Sequence, residues 1–526
     1  MEDMTLALDY QTYEEAQAKF NWSDRWQLFD GSKERFNIAH ECIDRHPATE
    51  IALRLKFPDR HSEVYTFGEL QRLTSQFANY LERQQIEFGA RVAVLLHPSL
   101  QFYTSMFGAY KRGAVFIPLS PLFGPDALDF RLLDSQARAI VTTREYAKLF
   151  SLQVLDQVHP QFIYAEDLPH LLPRESDAYS PRTSAKDPST IQYSSGTTGS
   201  PKPIRYTHDA ITLAAVIIKL ASGLEPTDVY FCPSSTAWGH GIWYGTIAPL
   251  VHGKAVGTLS GKFNAEVCLE ALEEFGVTNM AAIASHFRLT VQADHGQHKL
   301  QLRILNYSGE AMPKQTIQKI MEQWGIKPYV QYGTTEAGPI TADFGAFDNW
   351  VVKPGSLGKP MVGGAKVAIL DEAGHEMPRG EPGQVAVWRK DHWLRVGDMA
   401  SEDEDGYFWY LGRADDVIIS SGYTIGPLEI EQTLNRHAAV EESAVVGSPD
   451  PDRGMIVKAY IKLRTGCEAS EELRREIQDF VKGQLSRHEY PRAVEFIDDL
   501  PKTPEGKLKR KVLRQREANR VGIATP

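Results

Sequence analysis

Between residues 91 and 119 the chain alternates apolar runs with a helical stretch in a way that leaves few folds open. RVAVLL (91–96) is short, apolar and β-branched, the texture of a buried strand. Ser99 is placed to cap a helical stretch running through Tyr110, and Arg112-Gly113 ends it. AVFIPL (114–119) is the next apolar run. Two strands joined by a helix at this spacing form a βαβ unit, so a parallel sheet is expected. The pattern recurs in DAITLAAVIIKLAS (209–222), a helix pattern with Asp209 as its cap, and in the strand-like DVYFCP (228–233).

One hydrophobic core stops growing at roughly 250–300 residues, and this chain has 526. More than one unit is therefore required. From about Pro354 the texture becomes short alternating runs divided by Gly and Pro, which predicts a small antiparallel β region. A hairpin and tight loop follow in DEDGYFWYLGRADDVIISSGYTIGP. Beyond it come a helix (428–437), strands (442–446 and 457–463) and a long helix (471–485). The expected fold class is α/β. A large N-terminal domain (1–412) of parallel α/β subdomains plus the small β region precedes a small α+β C-terminal domain (413–526).

The formal net charge is −11, from 57 basic and 68 acidic residues. Nucleic-acid binding needs a cationic surface that displaces counterions, so it is not expected. Cys42, Cys232, Cys268 and Cys467 form no CxxC pair, which argues against a disulfide framework or a Cys-rich zinc site and fits a reducing compartment. The start, MEDMTLALDYQTYEEAQ, is acidic and lacks the marks of a secretory or transit segment. No apolar run is long enough to span a bilayer. A cytoplasmic protein without membrane insertion is expected, and nothing in the sequence assigns an oligomeric state. The basic stretch from Lys502 to Arg520 reads mostly as a solvated helical face, with some cations left to meet phosphates.

The densest local signal is Tyr193-Ser194-Ser195-Gly196-Thr197-Thr198-Gly199-Ser200-Pro201-Lys202. Glycines let the backbone approach a ligand, hydroxyls and N–H groups donate to phosphate oxygens, and Lys202 adds a charge. A flexible Ser/Gly linker is the plainer reading, but the regular flanks at Tyr193 and PIRYTH (203–208) favour phosphate binding. The run is not the GxxxxGK[ST] loop of NTPases.

SSGTTGSPK resembles the phosphate loop of the adenylate-forming superfamily, which contains acyl-CoA synthetases, peptide-synthetase adenylation domains and luciferase. Four further segments match in the family's order: Tyr332-Gly333-Thr334-Thr335-Glu336, Val396-Gly397-Asp398, Leu411-Gly412-Arg413 with Asp415, and PKTPEGK (501–507). The likeness runs from about Phe36 to Arg514 and is strongest toward medium-chain acyl-CoA synthetases. It implies an AMP-forming carboxylate–CoA ligase. ATP and a medium-chain or aryl acid would give an acyl adenylate and pyrophosphate, and coenzyme A would then give the thioester and AMP.

The same resemblance implies roles. Ser194, Ser195, Gly196, Thr197, Thr198, Gly199 and Lys202 would hold the ATP phosphates. Ser308, Gly309 and Glu310 would meet adenine through their backbone, and Tyr332 would stack on it. Gly333 and Thr334 belong to the same nucleotide motif. Thr335 would bond the α-phosphate and Glu336 would bind Mg²⁺. Asp398 would accept the ribose hydroxyls, with Arg413 as a second ribose contact, although a Gly-Asp turn is also an ordinary Asx turn. Asp415 falls at the hinge. Lys507 would reach the acid carboxylate and α-phosphate during adenylation. Ser421, Gly422 and Tyr423 would border the pantetheine tunnel. Arg453, Tyr490 and Arg492 would contact the coenzyme A nucleotide, although Tyr490-Pro491-Arg492 reads equally as the start of a strand. Trp238, His240 and Tyr307 would line the acyl pocket, with Trp243 and Tyr244 read as core. Thr424 departs from the large basic residue usual in close relatives. The competing readings are a ligase loading a carrier-protein phosphopantetheine and a non-catalytic nucleotide-binding regulator.

Overall fold

The computed structural model describes residues 8–193, 202–334, 337–420, 423–450, 454–485, 490–503, 506 and 508–520. The chain divides into two compact units. The first holds residues 1–309, 320–329 and 343–352, and the second holds 310–319, 330–342 and 353–526.

The βαβ expectation is met. Strands Arg91–Leu95 and Val115–Leu119 are parallel and in register, and helix Leu100–Arg112 joins them. The Ser99 side chain accepts from Phe102 N–H, closing the first turn. Gly113 ends the helix at φ +76, where an added Cβ would lie 2.6 Å from the Phe88 ring. These strands sit in a six-stranded sheet ordered Gln161–Tyr164, Ala139–Thr142, Arg91–Leu95, Val115–Leu119, Pro188–Tyr193, Pro203–Thr207. All pairings are parallel except the last. A second run follows the same plan: Ile304–Ser308, Asn279–Ile283, Tyr230–Phe231, Val256–Leu259 and Ile51–Lys56 are parallel, and Ser62–Thr66 closes the edge antiparallel. Near-continuous apolar strands such as Val92–Leu95 are what a sheet covered on both faces requires.

Asp209 departs from its expected role. It precedes helix Ala210–Leu220 but makes no side-chain cap bond to it. Its carboxylate instead accepts from the Thr207 hydroxyl at 2.5 Å and pairs with Lys186 at 2.7 Å.

In the second unit, Val367–Leu370, Gly383–Arg389, His392–Glu402 and Phe408–Arg413 form the expected antiparallel sheet. The C-terminal part builds another sheet from Tyr423–Ile425, Ile418–Ser420, Gly454–Leu463 and Val440–Asp450, with Ala493–Phe496 parallel to Gly454–Leu463. Helices Pro427–Leu434 and Glu471–Gln484 cover it through a core that includes Ile418, Ile430, Leu434, Val457, Ile477 and Val481. Each such side chain contributes about 1.5–3 kcal/mol by leaving water. The fold is mixed α/β, with a large N-terminal part built on parallel sheets and a smaller C-terminal domain. Among the described residues, no helix is long and apolar enough to cross a membrane.

Candidate active site

Two residues named from the sequence for the nucleotide site, Tyr332 and Arg413, converge on the carboxylate of a third, Asp398. Asp398 and Arg413 are cross-strand partners in the pair His392–Glu402 and Phe408–Arg413. Arg413 Nη1 donates to Asp398 Oδ1 at 3.0 Å and to the Val396 carbonyl at 3.2 Å. The Tyr332 hydroxyl donates to Asp398 Oδ2 at 2.5 Å, and the Tyr410 hydroxyl reaches Oδ1 at 3.5 Å. Asp398 is only 4% exposed, so these donors replace water around the charge. Tyr410 has no counterpart among the sequence assignments. Its only sequence signal is a position three residues before Arg413 on the same strand.

Local backbone explains the convergence. Gly397 sits at φ +76, and an added Cβ would lie 2.8 Å from Arg413 Nη2. A side chain there meets both a conformational and a steric penalty. Tyr332 lies on strand Tyr329–Thr334, paired with Thr341 of Gly338–Ala342. Burial first and the Asp398 charge second raise the Tyr332 phenol well above its usual pKa, and the same order holds at Tyr410. Both therefore stay protonated donors at neutral pH. A carboxylate offers about four acceptor sites, so the three donors leave room for a ribose hydroxyl.

The Ser/Thr/Gly loop itself, including Ser194, Ser195, Gly196, Thr197, Thr198 and Gly199, lies outside the described residues, as do Thr335 and Glu336. The loop's flanks are firm. Tyr193 and Pro203 are cross-strand partners, and the Tyr193 hydroxyl donates to Asp134 Oδ2 at 2.7 Å. Tyr193 packs into the core with Ile191, Val115, Ile117 and Leu132. Lys202 is exposed and leads into strand Pro203–Thr207. Ser308 ends strand Ile304–Ser308, beside Ile283, and Gly309 and Glu310 follow it. Gly333 and Thr334 end the strand that carries Tyr332.

The region named for the acid is unusual in backbone. His240–Ile247 is a π-helical turn, with the Ala248 N–H bonded to the Trp243 carbonyl five residues back. Such segments are rare and gather at functional sites. Trp238 is half-buried and meets Phe123 edge-on at 5.5 Å. The His240 ring shares Nδ1 with Ser234 Oγ at 3.0 Å, and burial lowers its pKa to about 4. Tyr307 is buried in strand Ile304–Ser308, with its phenol pKa raised by burial and then by Asp343. Trp243 is buried against Tyr206 at 4.8 Å, a packing role.

In the C-terminal part, Asp415 is exposed in the turn after Arg413, which is closed by Ala414 N–H to Gly397 O and by Asp416 N–H to Arg413 O. Arg492 donates to the Tyr490 hydroxyl at 3.1 Å, and its backbone N–H joins Val457 O. The segment thus starts strand Ala493–Phe496 and presents the Tyr490–Arg492 pair together. Tyr423 pairs with Ser420 and Thr424 with Ile419 through backbone. Ser421, Gly422, Arg453 and Lys507 lie outside the described residues. The stretch that carries Lys507 is bracketed by the Lys502–Leu508 bridge.

The basic tail is in part the solvated helical face expected and in part ion-paired. Arg510 binds Glu431, Arg514 pairs with Asp416, Arg516 with Glu495 and Lys502 with Glu442. Arg510, Arg514 and Arg516 tie the last helix, Arg510–Arg520, onto the domain, while Lys509, Lys511, Arg516 and Arg520 are exposed to solvent. Among the described residues, no group of three or more His, Cys, Asp or Glu is placed to hold a metal.

One buried carboxylate is thus fixed among two phenols and a guanidinium. The family model of AMP-binding enzymes matches residues 40–392, and that of the AMP-binding enzyme C-terminal domain matches 429–507. The chain belongs to this family. The acetyl-coenzyme A synthetase of Bacillus subtilis (strain 168) is 33% identical, over 96% of this chain and 95% of that protein. The mitochondrial acyl-coenzyme A synthetase ACSM3 of Rattus norvegicus is 32% identical, over 92% and 91%. Among solved structures, the anthranilate CoA ligase AuaEII in complex with anthranoyl-AMP superposes with a TM-score of 0.84 at 27% identity, over 96% of this chain and 100% of that one. The enzyme class follows from these relatives: the protein is an acid–thiol ligase of the AMP-forming acyl-CoA synthetase type.

Proposed function

We propose that this protein activates a medium-chain or aryl carboxylic acid with ATP and passes the acyl group from acyl-AMP to coenzyme A. The observation that carries the nucleotide half is the Tyr332–Asp398–Arg413 cluster. The hydroxyl of Tyr332 is engaged at its tip, which orients the ring on which adenine would stack. Ribose hydroxyls would take the acceptor site left on Asp398, whose Oδ1 accepts from Arg413.

Adenylation brings two anions together, so cations must offset their repulsion. The Ser194–Gly199 loop and Lys202 would hold the phosphates. Thr335 would bond the α-phosphate, and Lys507 would bridge it to the acid carboxylate as charge builds. Glu336 would be the protein ligand of Mg²⁺, an ion that is held with phosphate oxygens and water and needs few protein ligands. When bound, the ion would neutralise phosphate charge. For the second step, the C-terminal domain would pivot at Asp415. Gly422 with Ser421 and Tyr423 would then border the thiol's path, and Arg453, Tyr490 and Arg492 would take the nucleotide end of coenzyme A. Trp238, His240 and Tyr307 would line the acyl pocket. The relatives named above carry names for acetyl-coenzyme A and for anthranilate, so small aliphatic and aryl acids both belong in the test. A cytoplasmic setting agrees with four free cysteines, three of them buried.

The test is AMP release and thioester formation with ATP and Mg²⁺ over a panel of aliphatic and aryl acids, with and without coenzyme A. CoA-dependent thioester with at least one acid is expected. Adenylate that accumulates despite coenzyme A would move the acceptor to a carrier protein, and no turnover with any acid would refute the reading. Lys507→Ala is expected to slow pyrophosphate exchange roughly a thousandfold, about 4 kcal/mol of transition-state stabilisation. It should still convert preformed acyl-AMP and coenzyme A to thioester.

A further inference from the structure

Strands Val115–Leu119 and Pro188–Tyr193 are parallel neighbours. The chain leaves both at the same edge of the sheet, the carboxyl edge at which open α/β sheets bind ligands. The first exit, residues 120–124, leads into helix Pro125–Ser135, which carries Arg131. The second leads into the Ser/Thr/Gly loop, and Tyr193 is the last described residue before it.

Arg131 is buried, and its guanidinium lies over a ring from each exit. Its Cζ is 4.2 Å from the centroid of Phe123 and 5.4 Å from that of Tyr193. Nη1 donates to the Ala127 carbonyl at 2.7 Å, one turn back on the same helix. Phe123 in turn meets Trp238 edge-on at 5.5 Å. Phe123 and Trp238 are both half-buried, so their contact lies where the core opens. A direct tie runs beside this chain of rings: Gln192 Nε2 donates to the Ala237 carbonyl at 3.1 Å. The strand that ends at the Ser/Thr/Gly loop thus holds the Trp238 segment twice, once directly and once through Arg131 and Phe123.

Taking a guanidinium out of water is costly, and a methionine of similar length would fill the space without that cost. What the cation adds is attraction to ring faces, which strengthens away from water, and a planar shape that orients both rings.

We propose that Arg131 is a positioning residue that bridges the two substrates. Through Phe123 it sets the Trp238 wall of the acyl pocket, and through Tyr193 it sets the start of the phosphate loop. The inference rests on the reading of Trp238 as an acyl-pocket residue and of the Ser194–Gly199 loop as the phosphate loop. Loss of the Arg131 cation is then felt on both the acid and ATP, whereas loss of the Phe123 ring is felt on the acid alone.

The experiment measures kcat and the separate KM values for acid and ATP in CoA thioester formation, with the best used of acetate, octanoate and benzoate. Phe123→Leu should raise the KM for the acid about three- to tenfold, the range of one edge-to-face or cation–π contact, and leave the KM for ATP nearly unchanged. Arg131→Met should raise both KM values by about threefold or more, and Arg131→Lys, which keeps the cation, should recover part of each. The Phe123→Leu/Arg131→Met double variant should raise the KM for the acid no further than the larger single change, because both cut one chain of contacts. Leu128→Val alters packing in the core beneath the same helix, and it should lower Tm without moving either KM. An Arg131→Met enzyme that matches Leu128→Val in both KM values, or additive effects in the double variant, overturns the bridge. Phe123→Leu with an unchanged KM for the acid overturns it too, and decides the matter if Arg131→Met does not fold. Trp238→Leu separates the two failures. If it changes the KM for the acid, the pocket reading stands without the bridge. If it does not, or if the wild type makes no thioester from any of the three acids, the pocket reading falls and this inference with it.

Discussion

Asp398 shows what a single residue does and does not disclose. The Gly-Asp turn marks it as a candidate ribose acceptor, but an Asx turn has the same letters. The difference lies in donors that come from 66 and 15 residues away, Tyr332 and Arg413. Tyr332→Phe keeps the ring and removes one donor to the carboxylate, so its effect on ATP is indirect and smaller than loss of the carboxylate itself. The expected result is a rise in the KM for ATP of less than tenfold. Asp398→Ala removes the acceptor itself and leaves Arg413 without its partner. It should raise the KM for ATP well beyond tenfold, since bonds to charged groups are worth about 1.5–3 kcal/mol. Steady-state kinetics with ATP varied separates the two, and equal effects would contradict the roles given to the ring and the carboxylate.

Among the elements, the strand pair His392–Glu402 and Phe408–Arg413 positions the Tyr332–Asp398–Arg413 cluster, and Gly397 lies at an irregularity inside the first of these strands. Gly397→Ala forces a left-handed backbone and crowds Arg413 at once. A loss of about 1–2 kcal/mol is expected, read as a lower denaturant midpoint, together with weaker ATP binding. The last helix, Arg510–Arg520, is held differently. Glu517 is buried and accepts from Ser448 at 2.7 Å, Lys458 at 2.6 Å and Tyr460 at 2.5 Å. Glu517→Ala leaves Lys458 buried with only Glu495, so destabilisation of about 3 kcal/mol is expected in chemical denaturation. The helix pattern was legible in the sequence, but the destination of its cations was not. Arg510, Arg514 and Arg516 look alike as letters, and only folding brings Glu431, Asp416 and Glu495 beside them.

At the scale of the whole molecule, acid should weaken the first unit. Burial lowers His46, His208, His240 and His252 to about 4 from an ordinary 6.5. Between pH 6.5 and 4 the unfolded chain takes up protons that the folded rings refuse. Stability present above pH 6.5 is therefore lost as the pH falls toward 4. The fully buried His208 alone accounts for about 3 kcal/mol across that window. Thermal melts from pH 7.5 to 4 should show a steep fall in Tm that His208→Phe or a similar neutral ring makes shallower. The two-step cycle makes a separate demand on the hinge. Asp415→Pro stiffens the turn, and no backbone bond from its N–H is lost among the described residues. Thioester formation should slow while pyrophosphate exchange persists, and equal loss of both would remove Asp415 as the pivot.

The sequence by itself determined the parallel βαβ plan, the antiparallel β region and the nucleotide motifs, because each depends on short-range periodicity or on residues adjacent in the chain. Tertiary structure alone decided that Tyr410 joins Asp398, that Asp209 serves Thr207 and Lys186 instead of its helix, and that His286 stacks on Phe263. Those outcomes are contacts between distant segments. Hydrogen bonds and ring stacking act over a few ångströms, so no letter carries them until the backbone has brought its partners into reach.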